Sequence, residues 1–259
     1  MVNRAAACCA AVILAGALGC DRTSPSGPTT APPAVDQAWQ ARVITWGFTG
    51  VYFLYSEAGT TPLPAYDNLV MLCNFVRRLA AGRASPGSLR ILYTTRRPQA
   101  EITDPQNRAW YGPFLDAVAS LGTVEFALPS RVEVSLYNVV IYDPCELLER
   151  ERERGIVQQY LNRGGAVLVL GDNSCHVSGT PTTQIANQLL SGLGIGFTSG
   201  DPKTRDPLSI PVEQQTGVFE GVAQVSVFRV APQVVSGNAA ALLKDGGNIL
   251  AAIAPAGSQ

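Results

Sequence analysis

The sequence predicts an α/β fold: a largely parallel sheet with helices on both faces, plus a C-terminal antiparallel hairpin at its edge. Segments rich in β-branched residues alternate with segments whose apolar residues recur at helical spacing, a pattern typical of parallel strands joined by helices. Residues 138–142 and 166–170 are almost entirely apolar, which indicates strands buried on both faces. Residues 245–248 have the sequence Asp-Gly-Gly-Asn between two apolar segments, which favours a tight hairpin turn.

The other elements follow from local spacing, taken in chain order. The first helix is predicted at residues 66–81, where Asp67 would cap the start and Gly82 the end. A later helix, at residues 146–162, is rich in Glu and Arg, which indicates a solvated face with (i, i+4) ion pairs. The remaining helices are predicted at residues 110–121 and 183–193. Strands are predicted at residues 42–47, 51–55, 90–94, 123–128, 138–142, 166–170, 195–198, 225–230, 239–243 and 249–253.

Composition excludes several classes of protein. Hydrophobic residues make up 46% of the chain and charged residues 15%, so we expect a packed core rather than disorder. The formal charge is −1, and loss of Arg4 with an N-terminal leader would leave 18 basic and 20 acidic residues. This balance provides no basic surface for nucleic acid. We predict no cofactor, because no motif for one is present.

The N-terminus has the pattern of an export signal. Arg4 precedes an uncharged segment that extends to Gly19 and is shorter than the roughly 20 apolar residues that a membrane-spanning helix needs. Ala17-Leu18-Gly19-Cys20 resembles the lipobox of bacterial lipoproteins, although the order of the leucine and the small residue is reversed. That resemblance implies a signal peptide at residues 1–19 and a lipid, including palmitate, attached to Cys20.

Residues 20–38 form the predicted connection between lipid and domain. They are rich in Pro, Ser and Thr and contain almost no large apolar residue, so they cannot bury enough surface to fold and indicate a disordered tether. Residues 39–259 are predicted to form a single α/β domain. The expected location is the extracytoplasmic side of the cell membrane, facing the periplasm in a bacterium with two membranes.

Three cysteines remain in the predicted domain, Cys73, Cys145 and Cys175. Cys73 lies on the apolar face of the first helix, which indicates a core residue. Cys145 and Cys175 each follow a predicted central strand. If those strands are neighbours, both cysteines emerge at the same sheet edge, so we predict a disulfide between them in an oxidising compartment.

Residues 137–197 carry a second resemblance. The chain has NVVIYDP, a helix, YLNRGGAVLVLGDNS and then ANQLLSGLGIGF. This order resembles the class I glutamine amidotransferase-like (flavodoxin-like) superfamily, especially its GIFT branch in gliding-motility and intraflagellar-transport proteins. The resemblance covers about a quarter of the chain, and its motifs imply the fold more than an activity.

The catalytic residues of that superfamily are missing here. Its nucleophilic cysteine stands on a strained turn after a strand, where this chain has Asp172 or Asn173. The downstream His and Glu have no counterpart, and the one histidine is His176. We therefore identify no catalytic residue with a complete set of partners. A non-catalytic binding or scaffold domain is the favoured prediction, with an envelope protein, glycan or small metabolite as ligand.

Two alternatives use the same sequence features. Cys175 and His176 would be the weak catalytic candidates of a thiol-dependent hydrolase, at the sheet edge where catalytic residues collect. The GIFT resemblance would instead favour a structural subunit of an envelope transport or motility assembly. Zinc bound by Cys145, Cys175, His176 and Asp143 or Asp172 is less favoured than the disulfide, because no paired ligand spacing is present and no metal is predicted.

Overall fold

The computed structural model describes residues 41–47, 67–85, 87–171, 175–177, 179–198, 208–213, 215–227 and 230–255. The predicted signal peptide, Cys20, the tether and the strand predicted at residues 51–55 lie outside these residues. In the part of the chain that is described, no helix is both long and apolar enough to cross a membrane.

The described chain alternates strands and helices over most of its length. The helices are α1 (Asn68–Ala80), α2 (Gln99–Thr103), α3 (Arg108–Ala119), α4 (Arg150–Asn162) and α5 (Thr182–Leu189). The strands are β1 (Ala41–Trp46), β2 (Leu89–Thr94), β3 (Gly122–Ala127), β4 (Val139–Tyr142), β5 (Val167–Leu170), β6 (His176–Val177), β7 (Thr180–Pro181), β8 (Ile195–Phe197), β9 (Leu208–Pro211), β10 (Gln224–Val227), β11 (Gln233–Val235), β12 (Ala240–Asp245) and β13 (Asn248–Pro255).

A mixed sheet of nine described strands forms the centre of the molecule. Its order is β3-β2-β4-β5-β1-β13-β11-β8, with β12 paired to β13. The five strands from β3 to β1 are parallel to one another, and the pairs that involve β13, β11 and β8 are antiparallel. The predicted α/β class with a parallel sheet and an antiparallel addition is confirmed.

The C-terminal hairpin forms at the predicted turn and provides an antiparallel edge strand of the sheet. Asp245 pairs with Asn248, and Gly246 between them has φ +56°, a conformation that glycine adopts without strain. The expected antiparallel edge is β12, which pairs only with β13 among the described strands, while β13 also pairs with β1 on its other side. The last long strand is therefore an interior strand of the sheet.

Two groups of buried side chains share the strands of the parallel part. Alternate residues of a strand point to opposite faces, and here they divide between the two groups. Ile44, Ile91, Ile141 and Leu168 belong to the first group, together with buried residues of α1 and α3. Val43, Leu92, Val140 and Val167 belong to the second group, together with buried residues of α4 and α5.

The start of α1 is anchored to a distant strand. Asp67 precedes the helix as predicted, but its carboxylate makes no capping bond there. One carboxylate oxygen instead accepts hydrogen bonds from the backbone N–H of Ala223 (2.7 Å) and of Gln224 (3.2 Å). Cys73 is fully buried on α1, as predicted.

The charged helix α4 is only partly solvated. Arg152–Glu149 forms an exposed ion pair and Arg154–Glu151 a partly buried one, both at (i, i+3) rather than the predicted (i, i+4) spacing. Glu153 is 1% exposed and lies in the same acidic first turn. The prediction of a solvated charged face is therefore wrong at this residue. Its hydrogen-bond partner is Ser130, which lies outside the helix.

Several short elements were not predicted. They are α2, β9, β11 and the two-residue strands β6 and β7. The strand predicted at residues 225–230 exists as β10, but it pairs with β9 in a separate two-stranded sheet. Short segments of this kind carry too few residues for a period to be read from sequence.

Candidate functional site

The carboxyl ends of β2 and β4 meet where the order of the strands changes direction. In the sheet β2 lies between β3 and β4, so the next two strands in sequence lie on opposite sides of it. Ligands of open α/β sheets usually bind in the crevice beyond the strand ends at such a point. Residues just beyond β2, β4 and β5 are therefore the first candidates for a functional site, here called the carboxyl edge.

Asp143 is the central buried group of the carboxyl edge. Its side chain is 2% exposed and accepts a hydrogen bond from the Tyr93 hydroxyl at 2.7 Å. The other carboxylate oxygen accepts from the backbone N–H of Cys145 at 3.0 Å, and the Asp143 backbone N–H donates to Thr94 Oγ1 at 2.8 Å. Asp143 therefore fixes the loop after β4 to the end of β2.

A second polar group lies closer to the surface. Glu146 accepts a hydrogen bond from Thr95 Oγ1 at 3.0 Å and forms an ion pair with Arg97 Nε at 3.4 Å. Partial burial lowers the pKa of Arg97, but Glu146, Tyr111 and Glu101 outweigh burial and hold that pKa above its ordinary value. Arg97 therefore stays protonated and acts as a charge partner, not as a base.

A disulfide joins Cys145 to Cys175, with their Cα atoms 5.8 Å apart. It connects the loop after β4 to the segment after β5, two strands that are neighbours in the sheet. The Thr182 backbone N–H donates to the Cys175 carbonyl at 3.1 Å and ties this segment to the start of α5. A sulfur held in a disulfide is neither a thiolate nucleophile nor a thiolate metal ligand.

The remaining predicted residues are placed only in part. Asp172, Asn173 and Ser174, where the superfamily has its nucleophile, lie outside the described residues. The His176 backbone belongs to β6 and pairs with Pro181, and its side chain is outside what the structure describes. The described residues contain no group of three His, Cys, Asp or Glu side chains placed to hold a metal.

Gly171, the first residue after β5, sets how closely the carboxyl edge packs. Its backbone N–H donates to the Trp46 carbonyl at 2.8 Å. A Cβ atom at this position would lie 2.4 Å from the ring of Phe197, far inside any real contact. Position 171 therefore has no room for a side chain, because the Phe197 ring occupies that space.

Sequence reasoning found Cys145, Cys175 and Asp143 but missed Tyr93, Arg97 and Glu146. The first three lie within five residues of the end of a predicted strand, which is a usable signal. Tyr93 lies inside a strand, and its role depends on β2 and β4 being neighbours. Identifying Tyr93 requires knowing which strands are neighbours in the sheet, and the local sequence does not provide that order.

Comparisons with known proteins add little. No protein-family model and no curated protein matches the chain. Among solved structures, a β-galactosidase from Bifidobacterium adolescentis is similar over 66% of this chain and 78% of that chain, with 15% identity and a TM-score of 0.26. That similarity is too low to support a conclusion about fold or function.

Proposed function

We propose that this chain is a lipid-anchored, non-catalytic binding or scaffold protein of a bacterial cell envelope. The observation that carries the proposal is the Cys145–Cys175 disulfide. It occupies the sulfur that a thiol hydrolase would need at the edge of the sheet where catalytic residues collect. The polar groups beside it, Asp143 and Glu146, bind neighbouring strands and loops and leave no described nucleophile–base pair.

The location part of the proposal rests on the N-terminus. Cleavage before Cys20 and lipidation of its thiol would hold the domain outside the cytoplasm on a tether of residues 20–38. Disulfides persist in such oxidising compartments, so the bond at the carboxyl edge supports the same location. The charge balance argues against nucleic acid, so an envelope protein or glycan is the favoured ligand class.

The fold part of the proposal is that helices cover both faces of the sheet, as in the amidotransferase-like superfamily. Two buried groups share alternate strand residues, one with α1 and α3 and the other with α4 and α5, which supports this arrangement. The thiol-hydrolase alternative with Cys175 and His176 requires the disulfide to be reduced first. The alternative of a structural subunit is compatible with the same fold, and only the identity of a partner separates it.

Metabolic labelling with palmitate tests the anchor. The wild-type chain, expressed in a bacterium, should carry label and sediment with membranes, and Cys20→Ala should lose both properties. Cys9→Ala is the matched control, because that residue would leave with the signal peptide, and it should behave as wild type. Label that persists in Cys20→Ala, or wild-type chain without label, would refute the lipoprotein proposal.

A further inference from the structure

A long open cleft lies apart from the carboxyl edge. Its volume is about 900 Å³, and residues 210–213, 216–219 and 240–246 line it. None of the residues that form the carboxyl edge belongs to this lining. The cleft therefore has no part in the polar network around Asp143 and the disulfide.

The lining shows that the cleft follows the edge of β12 and not its face. Successive side chains of a strand point to opposite faces, so a cleft on one face would contact every second residue. All residues from Ala240 to Asp245 line this cleft. Among the described strands β12 pairs only with β13, so the outer edge of β12 borders the cleft without a described strand partner.

The opposite wall includes a second strand edge. Ile210, Pro211 and Val212 line the cleft consecutively, and β9 pairs with β10 alone among the described strands. The far edge of β10 is closed by α1, since Asn68 exchanges hydrogen bonds of 2.7 Å with both the N–H and the carbonyl of Ser226. In the small sheet, the Asn68 side chain thus covers the outer edge of β10, while β9 borders the cleft.

Apolar side chains contribute to the lining between these walls. Phe219, Leu243 and Ile253 are 6%, 6% and 5% exposed and belong to the first buried group. The charged residues of the lining have both signs, Arg78 and Lys244 against Glu213 and Asp245. Since neither sign dominates, backbone pairing and apolar contact, not net charge, are the features that a ligand would match.

We propose that this cleft binds an extended polypeptide segment of a partner protein, which adds a strand to the outer edge of β12. Main-chain hydrogen bonds would provide affinity, and alternate apolar side chains would contact Phe219 and Leu243. The segment would match the six residues of β12, a length of about 20 Å. This inference rests on the proposed binding function and names its ligand class.

Two features limit the length of the bound segment. Pairing of β12 is irregular between Ala241 and Leu243, and Pro211 removes one N–H from the opposite wall. Bulges and edge prolines prevent open-ended association of strands in natural proteins. The cleft therefore accommodates one short segment. In a second copy, β12 is accompanied by the other residues that line its own cleft, so it is not a short single segment.

Selection from a displayed library of random octapeptides tests the inference, with the full-length chain in detergent micelles as target. Enriched peptides should alternate apolar and polar residues and should bind Val218→Arg, which places a large charged side chain in the lining, at least tenfold more weakly than wild type. Val234→Arg is the matched control, because Val234 is 55% exposed and outside the cleft, and it should bind as wild type does. Thermal unfolding of both variants checks that they fold.

N-methylation of alternate backbone nitrogens in a selected peptide provides a second readout that does not alter the protein. It removes the N–H donors that pair with a strand edge, so binding should fall at least tenfold for one of the two alternating sets. Three results would overturn the inference. The first is a selection that enriches no peptide with preference for wild type over Val218→Arg, and the second is binding retained by both methylated peptides. The third is self-association of the chain through this edge. Labelling of Cys20 would be unaffected by any of these results, so failure here is distinguishable from failure of the proposed anchor.

Discussion

At the scale of residues, Glu153 holds the segment after β3 against α4. Its carboxylate accepts hydrogen bonds from the Ser130 backbone N–H (2.8 Å) and hydroxyl (2.6 Å), in a site that is 1% exposed. Glu153→Ala should lower the free energy of unfolding by about 1–3 kcal/mol, because the half-buried Ser130 would lose a charged acceptor for both its N–H and its hydroxyl. Urea denaturation measures this change.

The control for that change is Glu151→Ala. Glu151 stands in the same first turn of α4, so both variants lose the same favourable charge near the helix N-terminus. Its side chain is 60% exposed and pairs with the partly buried Arg154 at 3.0 Å, so the cost should stay below about 1 kcal/mol. Equal losses in the two variants would show that Glu153 acts through helix charge alone.

Two glycines of opposite environment give a second prediction at this scale. Gly171→Ala should destabilise the chain by about 1–3 kcal/mol, because its Cβ would overlap the ring of Phe197. Gly155→Ala, inside α4 with no atom within 4 Å of the new Cβ, should stabilise it by about 1 kcal/mol. Thermal unfolding of both variants checks the signs, and a stabilising Gly171→Ala would contradict the close packing at the carboxyl edge.

Residues with a strong local signal were predictable from the sequence, and residues defined by a distant partner were not. Cys145 and Cys175 each follow a buried strand, so their common edge could be inferred. Asp67 was recognised as the residue before a helix, but its partners lie more than 150 positions away, at the start of β10 and in the residue before it. The burial of Glu153 depends in the same way on Ser130, which no helical pattern indicates.

At the scale of elements, the disulfide fastens the loop after β4 to the segment after β5. The two cysteines are 30 positions apart, and a cross-link that closes a loop of this length contributes about 3–4 kcal/mol in the chain-entropy model. The double variant Cys145→Ser/Cys175→Ser should unfold at correspondingly lower denaturant concentration. Reductant should lower the stability of the wild type and leave that of the double variant unchanged, and equal sensitivity of both to reductant would contradict the prediction.

The contact between Asp67 and β10 should control the small sheet of β9 and β10. Asp67→Ala removes both hydrogen bonds from the N–H groups of Ala223 and Gln224. Amide hydrogen exchange should then accelerate in β9 and β10 and remain slow in the parallel strands, because the contact joins only α1 and this small sheet. Asp104→Ala, which loses only a local bond to the Gln106 N–H, should leave exchange in β9 and β10 unchanged.

Element type was predictable where the hydrophobic period extends over many residues, as in α1, α3 and the parallel strands. Lateral order was not, because a local pattern indicates burial without naming the neighbouring strand. The hairpin illustrates this limit: residues 245–248 indicate its turn, yet only the fold places β13 between β1 and β12. The short strands β9 and β11 were missed because three or four residues do not establish a period.

At the scale of the whole molecule, two regions of the described chain differ in what they offer. The carboxyl edge is fixed by Asp143, Glu146 and the Cys145–Cys175 bond, which supports a structural role for residues that resemble a thiol site. The cleft along β12 offers strand edges and apolar side chains, which supports binding of a polypeptide. A tethered envelope protein that binds but does not catalyse is consistent with both regions.

The state of Cys175 in the mature protein tests this account most directly. Membrane-extracted chain would be alkylated without reductant, digested, and mapped by mass spectrometry, with a reduced sample as the control. The account predicts a linked peptide pair that contains Cys145 and Cys175, which separates and becomes alkylated only after reduction. Rapid alkylation of Cys175 at neutral pH without reductant would contradict it and would favour the thiol hydrolase.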